Sequence, residues 1–237
     1  RHTKTALEDL ILRKFSRALD QYSFKAKGSG KSGLISTSRP GPEVMRRTAV
    51  EFTEKLLIVR FEVGFPANGR TINAQELEKS FLPQIVKKCL YYQAWDKRLV
   101  QEGFELAENQ QKIREVLEER KLVAFCANGS ILPRKSGVSS QPLKDAVAFE
   151  SPKSMELAID LPFGGSIFGM GIPEGVTLII GGGYHGKSTL LQALEQGVYN
   201  HVKGDGREYV ITRVNALKLR AEDGRAVSNL DLSLFIH

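Results

Sequence analysis

The sequence predicts an α/β fold in two parts: a mixed α/β region, residues 1–145, and a region of short strands, residues 146–237. Two observations predict this division. Helically spaced apolar residues dominate the first region, and strand-length apolar runs with glycine turns dominate the second. The third observation is the order of strand, glycine-rich loop and helix in Val176–Leu191, VTLIIGGGYHGKSTLL. An apolar, partly β-branched run of this kind is typical of a central parallel strand.

In the first region, the periodicity predicts a helix over residues 5–22 and a loop over residues 25–42. A half-buried strand is expected at Leu57, Val59, Phe61 and Val63. Asn73 and Glu76 have the spacing of a helix start, and the helix that follows should end near Leu82 because Pro83 cannot continue it. Residues 95–120 predict a charged amphipathic surface helix or a helical hairpin.

The strands of the second half follow from short apolar runs and the turns between them. Leu122–Ala127 and Met155–Leu161 are predicted strands, with a turn at Asn128-Gly129 after the first and a turn at Gly164–Ser166 after the second. Residues 133–142 are predicted to form a basic loop. Gly171–Gly175 are predicted to form the segment that leads into the glycine-rich stretch. Two further strands are expected over Glu208–Arg213 and Ala216–Arg220.

The composition excludes fewer classes of function than the motifs do. A length of 237 residues with 41% hydrophobic content suffices for one large domain or two small ones. The net charge of +7 favours an acidic partner such as nucleic acid, and is equally compatible with a generic basic surface. No apolar run reaches the length of a membrane span. Because the sequence starts at Arg1, a targeting segment could precede it.

The two cysteines, Cys89 and Cys126, lie in apolar surroundings with no C-x-x-C pair and no histidine cluster. We therefore expect buried, reduced thiols, as in an intracellular protein, and no zinc site.

The glycine-rich stretch satisfies G-x-x-x-x-G-K-[ST], the phosphate-binding P-loop, with Gly181, Gly186, Lys187 and Ser188. Glycines allow the backbone to approach a polyphosphate, and the N–H groups of the loop and of the helix start form an anion site. Lys187 is expected to bind the β- and γ-phosphates of ATP, Ser188 to bind Mg²⁺, and Thr189 to donate to the α-phosphate. The alternative is a glycine-rich turn before an ordinary helix.

A second stretch, Gly30-Lys31-Ser32, has the ending of a P-loop but lacks its first glycine, since position 25 is Lys25, and no apolar strand precedes it. A loop that contacts phosphate or RNA is the more plausible role for it.

The sequence around the P-loop, residues 155–197, resembles the nucleotide-binding domains of ABC ATPases. The predicted ABC-class ATPase family is more similar still, with GGGYHGKSTLL, GVYNH, GDGRE and RAEDGR in this order, and the resemblance extends over residues 5–237. It implies an incomplete ABC-type P-loop nucleotide-binding domain, because the signature loop, the Mg²⁺-binding strand end and the switch histidine are missing from the sequence. Intact ABC enzymes sandwich ATP between two domains, so the resemblance implies a homodimer.

The resemblance also assigns site residues. Loop N–H groups are expected from Gly182, Gly183, Tyr184, His185 and Gly186, beside the catalytic Lys187. Glu222, or its neighbour Asp223, is expected to bind Mg²⁺ and assist catalysis; the alternative is a charged turn. His185 is either a phosphate contact or a tolerated variable position. Asp205–Glu208 are predicted to form a hairpin turn. The sharper alternative is that Arg207 contacts a phosphate or the other subunit of a dimer.

A kinetoplastid mitochondrial member of the family belongs to an RNA-editing assembly, so the resemblance implies mitochondrial location and a single-stranded RNA partner recognised with weak sequence preference. The basic residues proposed for RNA lie in or beside loops: Lys27, Lys31, Arg39, Arg46, Arg47, Arg134 and Lys135. An RNA-coupled ATPase is the favoured function. A non-hydrolysing nucleotide-binding module in a larger assembly is the alternative, and a P-loop kinase is a weaker one.

Overall fold

A computed structural model of the protein describes residues 2–25, 32–68, 70–72, 74–219, 224, 228, 229 and 231. The chain divides into two compact units, Arg1–Asn109 and Gln110–His237. The boundary that the sequence predicts after residue 145 lies inside the second unit. Among the described residues, no helix combines the length and apolar character needed to cross a membrane.

The first unit is built on the helix α1, His2–Tyr22, which confirms the predicted helix. Its buried face includes Leu12, Phe15 and Leu19, which pack against short strands and a second helix. A single helix α3, Lys97–Glu119, covers the segment for which a helix or a helical hairpin was expected.

The helix around Pro83 differs from the prediction. The chain stays helical through Leu82, with a π-helical segment Leu77–Phe81 followed directly by α2, Leu82–Cys89. The N–H of Leu82 donates to the carbonyl of Leu77, five residues earlier. A proline inside an α-helix would lack a donor and collide with the carbonyl four residues back, and the wider π turn before it relieves both problems. Asn73, the predicted start, lies outside the described residues.

The strands of the first unit are short: β1 is Ile35–Ser36, β2 Glu43–Val44, β3 Val50–Phe52, β4 Leu57–Val59, β5 Glu62–Val63, β6 Ala67–Asn68 and β7 Thr71–Ile72. The predicted strand over residues 57–63 splits in two, because β4 pairs with β3 whereas β5 pairs with β1. The strand β1 also interrupts the predicted loop over residues 25–42. Lys27 and Lys31 lie outside the described residues.

The second unit contains a four-stranded antiparallel sheet in the order β12–β8–β10–β9. Its strands are β8 Leu122–Ala127, β9 Glu156–Leu161, β10 Gly165–Pro173 and β12 Val210–Thr212, and β11 is Asn200–His201. The strands predicted at 122–127, 155–161 and 208–213 are thus confirmed. The predicted turn moves to residues 162–164, and Gly171 to Pro173 belong to β10 rather than to an approach segment.

Helices cover both faces of this sheet. Because side chains alternate along a strand, Phe125 and Ala127 of β8 face the C-terminal half of α3, where Ile113 and Leu117 are fully buried. Ala124 and Cys126 face the opposite side. There they pack with Ala193, Leu190 and Leu194 of a fourth helix, α4, Lys187–Gln196. The helix that follows the P-loop is therefore fixed by the core of the second unit.

The predicted central strand over residues 176–180 is wrong. These residues have no regular structure, and Val176 and Leu178 are 93% and 79% exposed. No strand in the described part of the chain lies beside them to accept their backbone hydrogen bonds, and an apolar pattern alone cannot make a strand. Residues 216–219, predicted as a strand that ends at Arg220, likewise have no regular structure.

Candidate functional site

The P-loop turns tightly between Gly181 and α4, in backbone conformations that glycine tolerates best. Gly186 occupies the left-handed region, with φ +78° and ψ 4°, directly before the first helical residue. Gly181 has φ +154°. Tyr184, a non-glycine residue, also has a positive φ of +62°, and its side chain is fully exposed. Bulkier residues at the two glycines would strain this path.

The start of α4 offers backbone donors. No side chain caps it, and the first intrahelical bond in this turn runs from the Leu190 N–H to the Gly186 carbonyl, at 2.9 Å. The N–H groups that precede Leu190 in the helix therefore have no intrahelical acceptor. They point toward the loop, where the positive end of the helix dipole favours an anion.

Lys187 brings its charge back over the loop. Its Nζ donates to the carbonyl of Gly181 at 2.6 Å and also to the carbonyl of Gly182. The ammonium group, the helix N-terminus and the glycine backbone thus meet at one place, as the sequence predicts for a phosphate site.

The exposed side chain of His185 lies against the glycines of the loop. A Cβ added to Gly182 would lie 3.0 Å from Cε1 of His185 and 3.3 Å from its Nδ1. The imidazole ring therefore lies against the Gly182 backbone and occupies the space above it. Whether His185 contacts a phosphate or is a tolerated variable position stays a prediction.

Two hydroxyls follow Lys187 in the first turn of α4. Within the described residues, neither Ser188 nor Thr189 has a hydrogen-bond partner for its hydroxyl, so both oxygens are available to a ligand. The same part of the chain holds no group of three or more His, Cys, Asp or Glu side chains able to ligate a metal ion. Glu222 and Asp223, the predicted carboxylates, lie outside the described residues, so their role stays a prediction.

The far end of α4 is fixed by close approach to β12. A Cβ on Gly197 would lie 2.8 Å from Oγ1 of Thr212 and 2.9 Å from the carbonyl of Val210. Thr212 donates from its hydroxyl to the Leu194 carbonyl at 2.7 Å, and its N–H donates to the Gly197 carbonyl at 2.9 Å. The glycine is needed here because no side chain fits between helix and strand.

Arg114 of α3 belongs to no motif that sequence analysis could single out. Its guanidinium donates to the Thr212 carbonyl at 2.7 Å, to the Val198 carbonyl at 3.1 Å and to Oδ1 of Asn200. Burial lowers its pKa to about 10, so it stays charged at neutral pH. A cation beside the carboxyl end of α4 also complements the helix dipole.

A buried polar cluster explains the GVYNH and GDGRE motifs. His201 and Asp205 are both buried, and His201 Nδ1 lies 2.6 Å from Asp205 Oδ2. Arg134 donates to the same carboxylate at 2.8 Å, with a side chain only 8% exposed. His201 Nε2 also lies 3.3 Å from the carbonyl of Gln196, the last residue of α4. The motifs thus fix the P-loop helix in the fold.

Arg207 belongs to the same cluster, and its burial does not fit the sharper alternative of a phosphate or dimer contact. It is buried and donates to the Leu132 carbonyl at 3.0 Å. Burial, together with the nearby charge of Arg134, lowers its pKa to about 10. The predicted hairpin turn over residues 205–208 is wrong: β12, which follows, pairs with β8.

The structure separates the arginines proposed for RNA into two groups. Arg47 and Arg134 are internal: Arg47 Nη1 lies 2.5 Å from Oδ1 of the buried Asp9, and Arg134 pairs with Asp205. Neither can reach a ligand without losing a buried partner. Arg39 and Arg46 are exposed and form surface ion pairs with Asp20 and Glu51. Lys135 is exposed.

This loop and helix, with their antiparallel sheet and flanking helices, define a P-loop domain of α/β class. The sequence of residues 96–237 matches the family model of the ABC ATPase P-loop domain. Residues 1–93 match the family model described as the N-terminal region of ATPases of the ABC class. The chain therefore belongs to the family of ABC-class ATPases.

An uncharacterized protein of the archaeon Methanocaldococcus jannaschii is 36% identical to the chain over 135 residues. The match covers 54% of this chain and 30% of that relative. Since the matched part is about a third of the relative's length, the activity of the whole protein is a matter for proposal.

Proposed function

We propose that this chain is the nucleotide-binding part of an ATPase that binds ATP with Mg²⁺ at Gly181–Thr189. One observation carries the proposal: the ammonium group of Lys187, the open N-terminus of α4 and the loop glycines meet at one place. Family membership supports the same activity.

Each residue has a distinct task in this proposal. The loop N–H groups hold the phosphate oxygens, and Lys187 exchanges its two carbonyl contacts for the β- and γ-phosphates. The Ser188 hydroxyl is a hard oxygen ligand, as Mg²⁺ prefers, and Thr189 donates to the α-phosphate. When bound, Mg²⁺ neutralises charge on the β- and γ-phosphates. A carboxylate at Glu222 is the candidate to orient the attacking water.

RNA binding is the second part of the proposal, and the distribution of charge supports it. Residues 1–109 contain 19 Lys and Arg against 13 Asp and Glu, whereas residues 110–237 contain 15 against 14. The basic excess of the chain therefore lies almost entirely in its N-terminal unit, away from the residues of the P-loop in sequence. A basic region of this kind suits a polyanion.

The homodimer, membership of a larger RNA-processing complex and mitochondrial RNA editing rest on the family resemblance alone and stay predictions. The relative comes from an archaeon, a cell without mitochondria, so similarity to this chain does not by itself imply a mitochondrial location.

The test is ATP binding and turnover by the full-length protein, with and without single-stranded RNA, for the parent and Lys187→Ala. Binding of a fluorescent ATP analogue should fall at least about tenfold in the variant, because a charge-assisted contact to phosphate is worth about 1.5–3 kcal/mol. Lys144→Ala, which removes an exposed lysine of the same unit, is the matched control. Equal ATP binding by Lys187→Ala and the parent would overturn the proposal.

The alternative is a nucleotide-binding interaction module without hydrolysis. Tight ATP binding with no turnover, unchanged by RNA, would support this module. Turnover that is lost in Lys187→Ala and altered by RNA would support the ATPase.

A further inference from the structure

We propose that the first unit carries a binding surface for single-stranded nucleic acid formed by Arg17, Lys87, Lys88, Tyr91 and Tyr92, here called the tyrosine platform. The inference rests on the proposed RNA function and goes beyond it, because it assigns the site. None of its five residues belongs to the basic loops that the sequence suggested for RNA.

The aromatic part of the platform is exposed on a fixed turn. Tyr91 is 54% and Tyr92 73% exposed, and both lie in the short connection between α2 and α3. The turn is held from both sides, since Trp95 Nε1 donates to the Cys89 carbonyl at 2.8 Å and Lys14 Nζ donates to the Ala94 carbonyl. Large rings held in water on an ordered turn are suited to stacking against another flat group.

The cationic part comes from the end of α2, just before the two tyrosines in sequence, and from α1. Lys87 and Lys88 precede Tyr91 by four and three residues at the end of α2, and both are exposed. Lys88 donates to Oε1 of Gln21 on α1. The exposed Arg17 lies on the same stripe of α1 as Lys14 and Gln21, at helical spacings of three and four residues.

Lys14 and Gln21 both contact the segment from Lys88 to Ala94, so Arg17, between them on the helix, lies beside that segment. Lys14 itself lies 4.2 Å from the centre of the Trp95 ring. The stripe of α1 and the tyrosine turn thus form one continuous face.

The charge of this face is positive. Within the described residues, Arg17 and Lys87 form no ion pair. The two acidic groups closest along the chain are engaged elsewhere: Asp20 pairs with Arg39 at 2.6 Å, and Asp96 accepts from the Arg98 N–H at 2.9 Å at the start of α3. Exposed cations at the edge of exposed aromatic rings fit a single strand, whose phosphates and bases alternate.

The chemistry also defines the specificity. Stacking on tyrosine accepts every base, so the platform should bind with weak sequence preference. Nothing in it is aimed at a 2′-hydroxyl, and therefore we expect RNA and single-stranded DNA to bind alike. Duplexes, whose bases are already stacked, should bind more weakly.

The test is fluorescence anisotropy of the full-length protein with a labelled oligouridylate and the matching oligothymidylate. Tyr91→Ala combined with Tyr92→Ala should weaken both by at least about fivefold, because stacking contributes about 1–3 kcal/mol per base and the change removes both rings. Tyr91→Phe combined with Tyr92→Phe keeps the rings and should stay within about twofold of the parent. Lys87→Gln combined with Lys88→Gln should reduce the salt dependence by about 0.7 in logarithmic slope per lost phosphate contact.

Two controls separate the possible failures. Lys55→Gln removes an exposed lysine of the same unit in the β3–β4 turn, near the other end of α1, and should leave affinity unchanged. Lys187→Ala should weaken ATP binding at least about tenfold and leave oligonucleotide affinity intact. Thermal unfolding of each variant checks its fold.

The outcomes are distinct. Loss of affinity in the alanine pair, with retention in the phenylalanine pair, supports the platform. RNA binding that is equal in the parent and the alanine pair overturns the platform and leaves the proposed RNA function standing. No oligonucleotide binding by a parent that binds ATP overturns both. A change of oligomeric mass in the alanine pair, with affinity unchanged, identifies a protein interface and overturns the platform.

Discussion

Arg114 holds the side-chain oxygen of Asn200 with two nitrogens, Nε at 3.0 Å and Nη2 at 2.7 Å. The two residues are 86 positions apart in the chain. Since the same guanidinium also reaches the Thr212 and Val198 carbonyls, one arginine joins α3, β12 and the segment that follows the P-loop helix.

Arg114→Met should therefore destabilise the protein by about 3 kcal/mol, because it leaves buried acceptors without a donor. Arg114→Lys should recover only part of the loss, since an ammonium group cannot donate in the fork geometry of a guanidinium. Urea unfolding measures both. Arg120→Met, which removes an exposed arginine just beyond α3, should change stability by less than about 0.5 kcal/mol. An Arg114→Met protein as stable as this control would contradict the prediction.

Two glycines of β10 should respond differently to alanine. A Cβ at Gly169 would meet backbone: it would lie 2.7 Å from Cα of Ala127 and against the Cys126 carbonyl. A Cβ at Gly171 would meet mainly the side chain of Leu157. Gly169→Ala should cost about 3 kcal/mol, at the upper end for overpacking, because the backbone of a central strand cannot move aside.

For Gly171→Ala, the Leu157→Ala change should remove the steric cause. A double-mutant cycle in chemical denaturation should then give a loss for the pair that is smaller than the sum of the single losses by about 1 kcal/mol or more. Strict additivity would show that Leu157 already moves away at no cost.

The thiols should be inert in the folded protein. Both cysteines are free and buried, as the sequence predicts. Burial raises the pKa of Cys89, and it raises the pKa of Cys126 to about 12. At pH 8 the thiolate of Cys126 is then only about one part in ten thousand. Mass spectrometry after iodoacetamide treatment should detect no label in the native protein and two labels after unfolding in denaturant. Rapid native labelling would contradict this burial.

Glu156 should make stability depend on pH in the acid range. Hydrogen bonds from Ser151, Asn128 and Lys153 lower its pKa below the usual 4.5. A carboxyl group with a depressed pKa in the folded state stabilises that state above its unfolded pKa, and the contribution disappears as the pH falls through the folded value. Glu156→Gln should thus be less stable than the parent at neutral pH, and the difference should shrink below pH 4.5. Thermal unfolding over a pH series measures it.

Local patterns predicted best. The helices α1 and α3 and the strands β8, β9 and β12 depend on residues close together in sequence, and these predictions were confirmed, whereas β10 was not predicted as a strand. The strand expected at residues 176–180 failed because a strand requires a neighbour, and hydrophobicity does not reveal whether one is present. The helix end predicted near Leu82 is wrong, because a proline marks a conflict in the helix without showing that a π turn resolves it.

Roles that depend on distant partners could not be predicted. The residues around Arg47 and Arg134 have the composition of surface loops. Each arginine is nevertheless paired with a buried carboxylate far away in the sequence. Arg114 had no motif, since its acceptors lie more than eighty residues away. The GVYNH and GDGRE motifs were recognised by their resemblance to a family, and only the packing shows that they position the P-loop helix.

The pair of Arg134 and Asp205 has a consequence for descent. Losing Asp205 leaves Arg134 buried without its counter-ion, and losing Arg134 removes a direct ion-pair partner of the buried Asp205. Either change costs several kcal/mol, whereas replacing both by apolar residues can be nearly neutral. Mutational paths through a single change are therefore disfavoured, and the two positions should be inherited as a unit. Relatives that diverge from this chain should substitute both residues or keep both, so an evolutionary record of the family should show these positions changing together.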